Sequence, residues 1–227
     1  MKKTTIPTLG GAMLAATLFF AGPVSAEEWN MATPYPENNF HTQNDIQFAK
    51  DVAEATDGKL QITVHSAGSL IAHPEIRNAV RNGTVPLGEI LMSMLSNESP
   101  VYEVDAIPFL IENYDDAQRL WDASRGQVED MFAKQNMMVL YSVPWPANGI
   151  YTTKPIETAS DFNGMKMRVY SAVTEQIAQK LGAVPTQIAV PDIPQAFSTG
   201  RVDAMITSAA TGVNVSAWDF LDHYYDV

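Results

Sequence analysis

The chain has 227 residues, of which 14 are basic and 26 acidic, so its formal net charge is −12 at pH 7. It contains no cysteine, which excludes a disulfide-stapled secreted domain, a thiolate metal site and a thiol nucleophile. The acidic charge is dispersed and makes nucleic acid and anionic membrane surfaces poor partners.

The first 26 residues have the pattern of a secretory signal peptide. Lys2 and Lys3 precede an almost wholly apolar run at 9–20, and Val24, Ser25 and Ala26 provide small residues where a signal peptidase reads the chain. This run is shorter than the roughly 20 residues that a transmembrane helix needs. We expect cleavage after residue 26 and a soluble mature chain in the periplasm.

Short apolar runs alternate with amphipathic stretches over residues 27–146. Ile46, Ala49 and Val52, for example, share one helical face, and Gly58 follows that helix as a stop signal. The pattern predicts strands at 29–33, 60–65, 85–92 and 137–143, and helices at 44–56, 73–82, 115–123 and 127–135. This rhythm of βαβ units is typical of an open, mostly parallel sheet.

A second α/β series follows the interruption Pro144-Trp145-Pro146. A strand is predicted at 165–169 and a helix at 172–181, and the alternation continues through 184–187, 192–198 and 202–206. We therefore divide the mature chain into a first α/β lobe at 27–146 and a second at 147–227.

Contiguous catalytic motifs are absent. The sequence has no G-x-G-x-x-G, Walker P-loop, G-x-S-x-G or H-E-x-x-H pattern. His41, His65, His73 and His223 form no i, i+4 pair, and each is expected to be a surface or hydrogen-bonded residue rather than a metal ligand. The sequence predicts no metal site, no cofactor and no enzyme activity.

The segment 165–170 carries the clearest chemical signal. Strand periodicity places Met167 and Val169 on one face, and Arg168 and Tyr170 on the other. An arginine at the C-terminal end of a parallel strand lies where open α/β sheets bind ligands, and its planar fork suits a carboxylate. The alternative is an ordinary solvated arginine on an edge strand.

A set of short segments occurs in an order that is characteristic of one family. In the second half they are 161–168 (DFNGMKMR), 181–185 (LGAVP) and 196–203 (AFSTGRVD); in the first half they are 32–34 (ATP), 56–60 (TDGKL), 68–70 (GSL), 79–83 (AVRNG) and 108–110 (PFL). Together they resemble the solute-binding proteins of TRAP transporters, the tripartite ATP-independent periplasmic family. The similarity covers essentially the whole mature chain.

The resemblance implies a two-lobed α/β protein whose cleft closes on a small organic acid and delivers it to membrane-embedded permease subunits. Arg168 matches the arginine that grips the carboxylate in this family. A second arginine, found near Asn148 in sialic-acid-binding members, is missing, which disfavours a sialic-type sugar acid.

Relatives run to about 300 residues, a size that suits two lobes. We expect a C-terminally incomplete chain; a natural short form is the alternative.

Aromatic side chains are candidates for the walls of the cleft. Tyr35 and Phe40 lie in the first predicted loop, Trp145 lies between the lobes, and Tyr170 follows Arg168. Each could supply apolar contact to a bound solute, and each could instead be a core residue.

Polar candidates complete the predicted site. Thr207 and Ser208 end the predicted strand 202–206 where relatives place an asparagine, and their hydroxyls could bind the ligand's second polar end or cap a following helix. Ser93 and Asn148 are further candidate ligand-binding residues.

Glu89 is a carboxylate inside the apolar segment 85–92. Burying this charge without a partner would be costly, so it should pair with Arg77 or Arg81, or face the cleft. In the cleft it would accept hydrogen bonds from the solute and exclude plain dicarboxylates by repulsion.

Two other functions fit the same sequence: an exported enzyme that acts on a carboxylated substrate, and a sensor module that binds the same solutes and signals to a membrane kinase. For the favoured function the partners are the organic acid and the permease, and we expect a monomer.

Overall fold

The computed structural model describes residues 26–226. The predicted signal peptide lies outside this range except for Ala26, and no helix within 26–226 is long and apolar enough to cross a membrane. Two sheets organise the chain, one of three strands and one of five.

The first sheet is wholly parallel. Its strands, β1 (Glu27–Ala32), β2 (Leu60–His65) and β3 (Leu87–Gly88), lie in the order β2-β1-β3. Helix α1 (Phe40–Ala55) connects β1 to β2, and α2 (Ile76–Arg81) connects β2 to β3. Helix α1 begins four residues before the predicted start, because the Asn39 side chain caps it by accepting a hydrogen bond from the His41 N–H at 2.9 Å.

The predicted strand at 85–92 is reduced to two residues. At Gly88 the backbone approaches α2 so closely that a Cβ would collide with the Ile76 side chain. Beyond it the Glu89 N–H still donates to the Ala32 carbonyl at 2.8 Å, and the chain then enters a 3₁₀ turn at Met92–Leu95. The segment therefore leaves the sheet at Glu89, so this residue follows β3 and is not part of a strand.

Two further predictions for the first lobe are wrong. The two helices predicted at 115–123 and 127–135 are one helix, α3 (Tyr114–Ala133), because Gly126 is tolerated in a helix interior at a cost of about 1 kcal/mol. Residues 137–143 form no strand, because they find no hydrogen-bonded strand partner within 26–226. Val139 packs instead on a core cluster of Tyr102, Val128 and Phe132.

The second sheet is mixed and has the order β6-β5-β7-β4-β8. Its strands are β4 (Asn148–Thr152), β5 (Lys166–Val169), β6 (Val184–Gln187), β7 (Ala204–Ser208) and β8 (His223–Asp226). Strand β5 pairs parallel with β6 and β7, whereas β4 pairs antiparallel with β7 and β8. Strands β4 and β8 were not predicted. The α/β class with mostly parallel pairing is confirmed.

Helices α4 (Ala172–Lys180), α5 (Ile193–Ser198) and α6 (Ala209–Asn214) accompany this sheet. Ser171 caps α4, and Gly182 follows it with φ +76°, a conformation that glycine adopts without strain. Met167 and Val169 are buried in a cluster on one side of the sheet, as the strand periodicity predicted.

The two halves of the molecule meet at Tyr35. This residue follows β1, yet it is buried in a cluster that is otherwise formed by the second half, including Tyr151 and Ile193, with Trp145 packed against it. The division into lobes at 146/147 stays a prediction, and Tyr35 marks where a cleft between the two halves would lie.

Candidate functional site

Arg168 lies on the interior strand β5, between β6 and β7. Only 2% of the residue is exposed, so the alternative of a solvated arginine on an edge strand is wrong. Its Nε donates to the Ile188 carbonyl at 3.0 Å, and Nη1 donates to the Ile206 carbonyl at 3.4 Å. These two bonds fix the plane of the guanidinium.

The charge of Arg168 is unusual because it is buried without an anion. No carboxylate within residues 26–226 forms an ion pair with it, and Nη2 donates to no residue of that range. Burial lowers the pKa of Arg168 to about 10, so the side chain remains a cation at neutral pH. A buried, unpaired charge is strongly unfavourable, and an anionic ligand would relieve that cost.

Three aromatic rings pack around Trp145 and form a wall with it. The Trp145 ring lies 5.0 Å from Tyr35, 5.3 Å from Phe40 and 4.2 Å from His41, measured between centroids. We call Tyr35, Phe40, His41 and Trp145 the aromatic wall. His73 packs edge-on against Tyr35 at 5.8 Å. Such edge-to-face arrangements are the favoured geometry for aromatic pairs.

Arg168 contacts a further ring, that of Tyr170, and its charge acts on Tyr35 of the aromatic wall. Its guanidinium carbon lies 5.0 Å from the centre of the Tyr170 ring. Its positive charge partly offsets the rise that burial causes in the pKa values of Tyr35 and Tyr170, and adds to the fall that burial causes in the pKa of His73. Burial is the larger effect and raises the pKa values of both tyrosines, whereas it lowers that of His73 to about 4. The candidate site thus combines one unpaired cation with neutral aromatic side chains.

A buried acid pair, Asp45 and Glu89, lies behind the wall. The Thr33 hydroxyl donates a hydrogen bond to Oε2 of Glu89, and Oε1 of Glu89 is 3.3 Å from Nδ1 of His41. Asp45 accepts a hydrogen bond from the Tyr141 hydroxyl at 2.6 Å. Burial and then the charge of Asp45 raise the pKa of Glu89 to about 9, so the pair holds a proton at neutral pH.

Glu89 pairs with neither arginine that the sequence suggested. Arg77 instead binds Glu98, with 2.6 Å between Nη2 and Oε1. Burial and the charge of Asp45 raise the pKa of Glu89 and so favour its neutral form; its selection against dicarboxylates stays a prediction.

A cavity of about 410 Å³ opens beside the acid pair. Its lining includes Tyr35, His41, Asp45, Glu89 and Trp145, together with apolar residues of the first lobe. Arg168, Phe40, Ser93 and Tyr170 do not line it. No group of three or more histidine or acidic side chains within 26–226 is arranged to hold a metal ion.

The remaining predicted residues lie near β4 and β7. Asn148 Nδ2 donates to the Tyr170 hydroxyl at 3.0 Å. Thr207 is buried at the end of β7, opposite Gly149 of β4. The Ser208 side chain caps α6 by accepting from the Thr211 N–H at 3.2 Å, so the capping alternative for Ser208 is confirmed. Ser93 is buried in a 3₁₀ turn of the first lobe.

His41, Asp45, His73 and Tyr141 were not among the predicted site residues. His41 and Asp45 are one helical turn apart on α1, and both are nine-tenths or more buried. The polar i, i+4 pair on the buried face of an amphipathic helix was the available signal.

These features define a two-lobed α/β fold of the periplasmic-binding-protein type, with an aromatic wall and an arginine that is buried and unpaired within 26–226. Residues 31–213 match the bacterial extracellular solute-binding proteins, family 7 (DctP), and the chain belongs to this family. The predicted resemblance to TRAP solute-binding proteins is confirmed.

Solved structures of relatives share this fold. DctP7 of Bordetella pertussis, an extracytoplasmic solute receptor binding pyroglutamic acid, is 45% identical, with a TM-score of 0.86 over 88% of this chain and 67% of that one. A TRAP solute-binding protein from a marine metagenome, specific for pyroglutamate, is 39% identical, with a TM-score of 0.86 over 89% of this chain and 66% of that one.

Curated relatives are longer than this chain. A solute-binding protein of Chromohalobacter salexigens is 29% identical over 178 residues, which are 77% of this chain and 52% of the relative. The chain spans about half to two thirds of the length of the first curated relatives that it matches.

Proposed function

We propose that this protein is the solute receptor of a TRAP transporter and that it captures a small organic acid through the carboxylate. The single observation that carries the proposal is the buried guanidinium of Arg168, which has no anionic partner within 26–226. Hydrogen bonds to charged groups contribute roughly 1.5–3 kcal/mol each. Two such bonds would supply much of a micromolar affinity, which corresponds to about −8 kcal/mol.

We propose pyroglutamate, or a close cyclic analogue, as the solute. Two relatives that are 45% and 39% identical to this chain bind pyroglutamic acid. Its carboxylate would bind Arg168, and its small ring would pack against Tyr35 and Trp145 of the aromatic wall. The predicted contacts from Phe40, Asn148, Tyr170, Thr207 and Ser208 remain part of this proposal, whereas Glu89 would act through His41.

The cellular setting is part of the same proposal. Residues 1–26 would direct export to the periplasm, lobes at 27–146 and 147–227 would close on the solute, and the loaded monomer would dock on the permease subunits. The protein would act as a receptor and not as an enzyme, so bound solute should be recovered chemically unchanged.

Calorimetry with the purified protein tests the proposal. We expect pyroglutamate to bind with micromolar or tighter affinity and to raise the unfolding temperature, because a ligand that binds only the folded state stabilises it. Glucuronate and malonate, which more distant relatives bind, serve as comparison acids. Failure of every small carboxylate to bind, or chemical conversion of the bound acid, would contradict the proposed function.

A further inference from the structure

We propose that Nε2 of His41 is the hydrogen-bond acceptor that recognises a ring N–H of the solute, and that the acid pair holds His41 in the tautomer this requires. The inference rests on the proposed function and deepens it, because it assigns the preference for a cyclic amide over other cyclic acids. His41 would be a specificity-determining residue, separate from the carboxylate clamp at Arg168.

The position of His41 supports this role. Only 5% of the residue is exposed, and Nε2 is a buried atom without a hydrogen-bond partner among the described residues. The side chain lines the cavity next to Glu89, and its ring contacts Phe40 and Trp145, each at 4.2 Å between centroids. Buried polar atoms are normally paired, so an unpaired ring nitrogen on a side chain that lines a cavity indicates a missing partner.

The acid pair determines which nitrogen of His41 carries the proton. Nδ1 faces Oε1 of Glu89 at 3.3 Å. Asp45 is the neighbour whose charge, after burial, raises the pKa of Glu89, and Oδ2 of Asp45 lacks a hydrogen-bond partner among the described residues. If the proton of Glu89 lies toward Asp45, Oε1 is free to accept a hydrogen bond from Nδ1–H. The neutral imidazole then presents a lone pair at Nε2.

His41 stays neutral at physiological pH, because burial lowers its pKa to about 4. A neutral acceptor surrounded by rings favours an N–H donor over a carboxylate or carbonyl oxygen, which would face a lone pair. The ring N–H of pyroglutamate has this chemistry. Tyr35 connects the two ends of the candidate site. Its ring lies 5.6 Å from that of His41, and the charge of Arg168 opposes the rise that burial causes in the pKa of its hydroxyl.

The test compares pyroglutamate with its lactone analogue, 5-oxotetrahydrofuran-2-carboxylate, in which oxygen replaces the ring N–H. Both acids keep the carboxylate and the ring carbonyl. Calorimetry should show that the wild-type protein binds the lactam about 10- to 100-fold more tightly, because the lactone leaves the buried acceptor unpaired. His41→Phe should bring the two dissociation constants to within about threefold of each other.

His41→Gln provides the conservative variant, because its amide oxygen can accept a hydrogen bond near the position of Nε2, and it should recover part of the preference. His65→Gln, a substitution of a histidine on β2, is the matched control and should behave as wild type. Unfolding temperatures verify that each variant is folded.

The outcomes separate the two proposals. Wild-type protein that binds both acids equally overturns the role of His41 and leaves the proposed function standing. Loss of the preference in His73→Phe but not in His41→Phe also overturns it, because His73 would then supply the acceptor. If wild-type protein binds neither acid, the proposed solute is wrong and the assignment of His41 falls with it.

Discussion

Asn39 Nδ2 donates a hydrogen bond of 2.7 Å to Oδ1 of Asn214, a residue 175 positions away in the chain. Asn39 caps α1 beside the first sheet, and Asn214 ends α6 beside the second. Asn214 Nδ2 also donates to the Asn38 carbonyl at 3.0 Å. This bridge ties the two halves together at the end of α1 that carries Phe40 and His41.

The bridge predicts that Asn214 controls ligand release without touching the ligand. Asn214→Ala removes two side-chain hydrogen bonds, each worth about 0.5–1.5 kcal/mol. If the bridge stabilises the ligand-closed state, its loss lowers the population of that state, and the apparent affinity falls by the same factor as the population. We expect binding to weaken by roughly 5- to 150-fold, with most of the change in the dissociation rate measured by stopped-flow tryptophan fluorescence.

Asn97, an exposed asparagine in the first half, provides the control for this experiment. Asn97→Ala should leave both affinity and dissociation rate unchanged. A ligand dissociation rate in Asn214→Ala equal to that of the wild-type protein would mean that the bridge does not stabilise the closed state.

The second prediction concerns the pH dependence of stability at Glu89. Its pKa is raised from 4.5 to about 9, so the folded state holds an extra proton between these values and stability falls as pH rises through that window. Glu89→Gln removes the titration. As pH rises, the free energy of unfolding should therefore fall more steeply for the wild-type protein than for Glu89→Gln, by up to about 1.4 kcal/mol per pH unit. Urea titrations at pH 6, 7 and 8 measure this difference. Parallel curves for the two proteins would show that Glu89 is ionised in the folded state.

The third prediction separates Thr207 from its neighbour Ser208. Ser208→Ala removes the cap of α6 and should destabilise the protein by about 1 kcal/mol, which thermal unfolding can resolve. Thr207→Val preserves the shape of a side chain that is buried near the end of β7. We expect Thr207→Val to keep wild-type stability and to weaken ligand binding about 5- to 10-fold, since a single hydrogen bond is lost. Wild-type affinity in Thr207→Val would exclude a direct ligand contact.

Much of the fold was predictable because local signals and tertiary packing agree. The strand at Leu60–His65 and the strand at Val184–Gln187 have their predicted bounds, since strong turn signals flank them. Strand β4 (Asn148–Thr152) was missed because it pairs antiparallel within an otherwise parallel series. The segment 137–143 has strand propensity but no partner strand within 26–226. Pairing of this kind depends on residues distant in the chain and cannot be read from a short window.

The site was only partly predictable for a similar reason. Arg168 was identifiable because its strand position and family motif coincide. His41 was classified by spacing alone, and spacing does not reveal that Glu89, 48 positions later, would face its Nδ1. The raised pKa of Glu89 likewise depends on burial and on Asp45 of α1, neither of which follows from the local sequence.

The central claim is that Arg168 binds the carboxylate of the solute. The most direct test is a double-mutant cycle by calorimetry with pyroglutamate and its carboxamide, in wild-type protein and in Arg168→Gln, with unfolding temperature as the check on folding. Wild-type protein should prefer the carboxylate by roughly 30- to 1,000-fold, a coupling of about 2–4 kcal/mol, and Arg168→Gln should lose nearly all of that preference. An unchanged preference in Arg168→Gln would contradict the account.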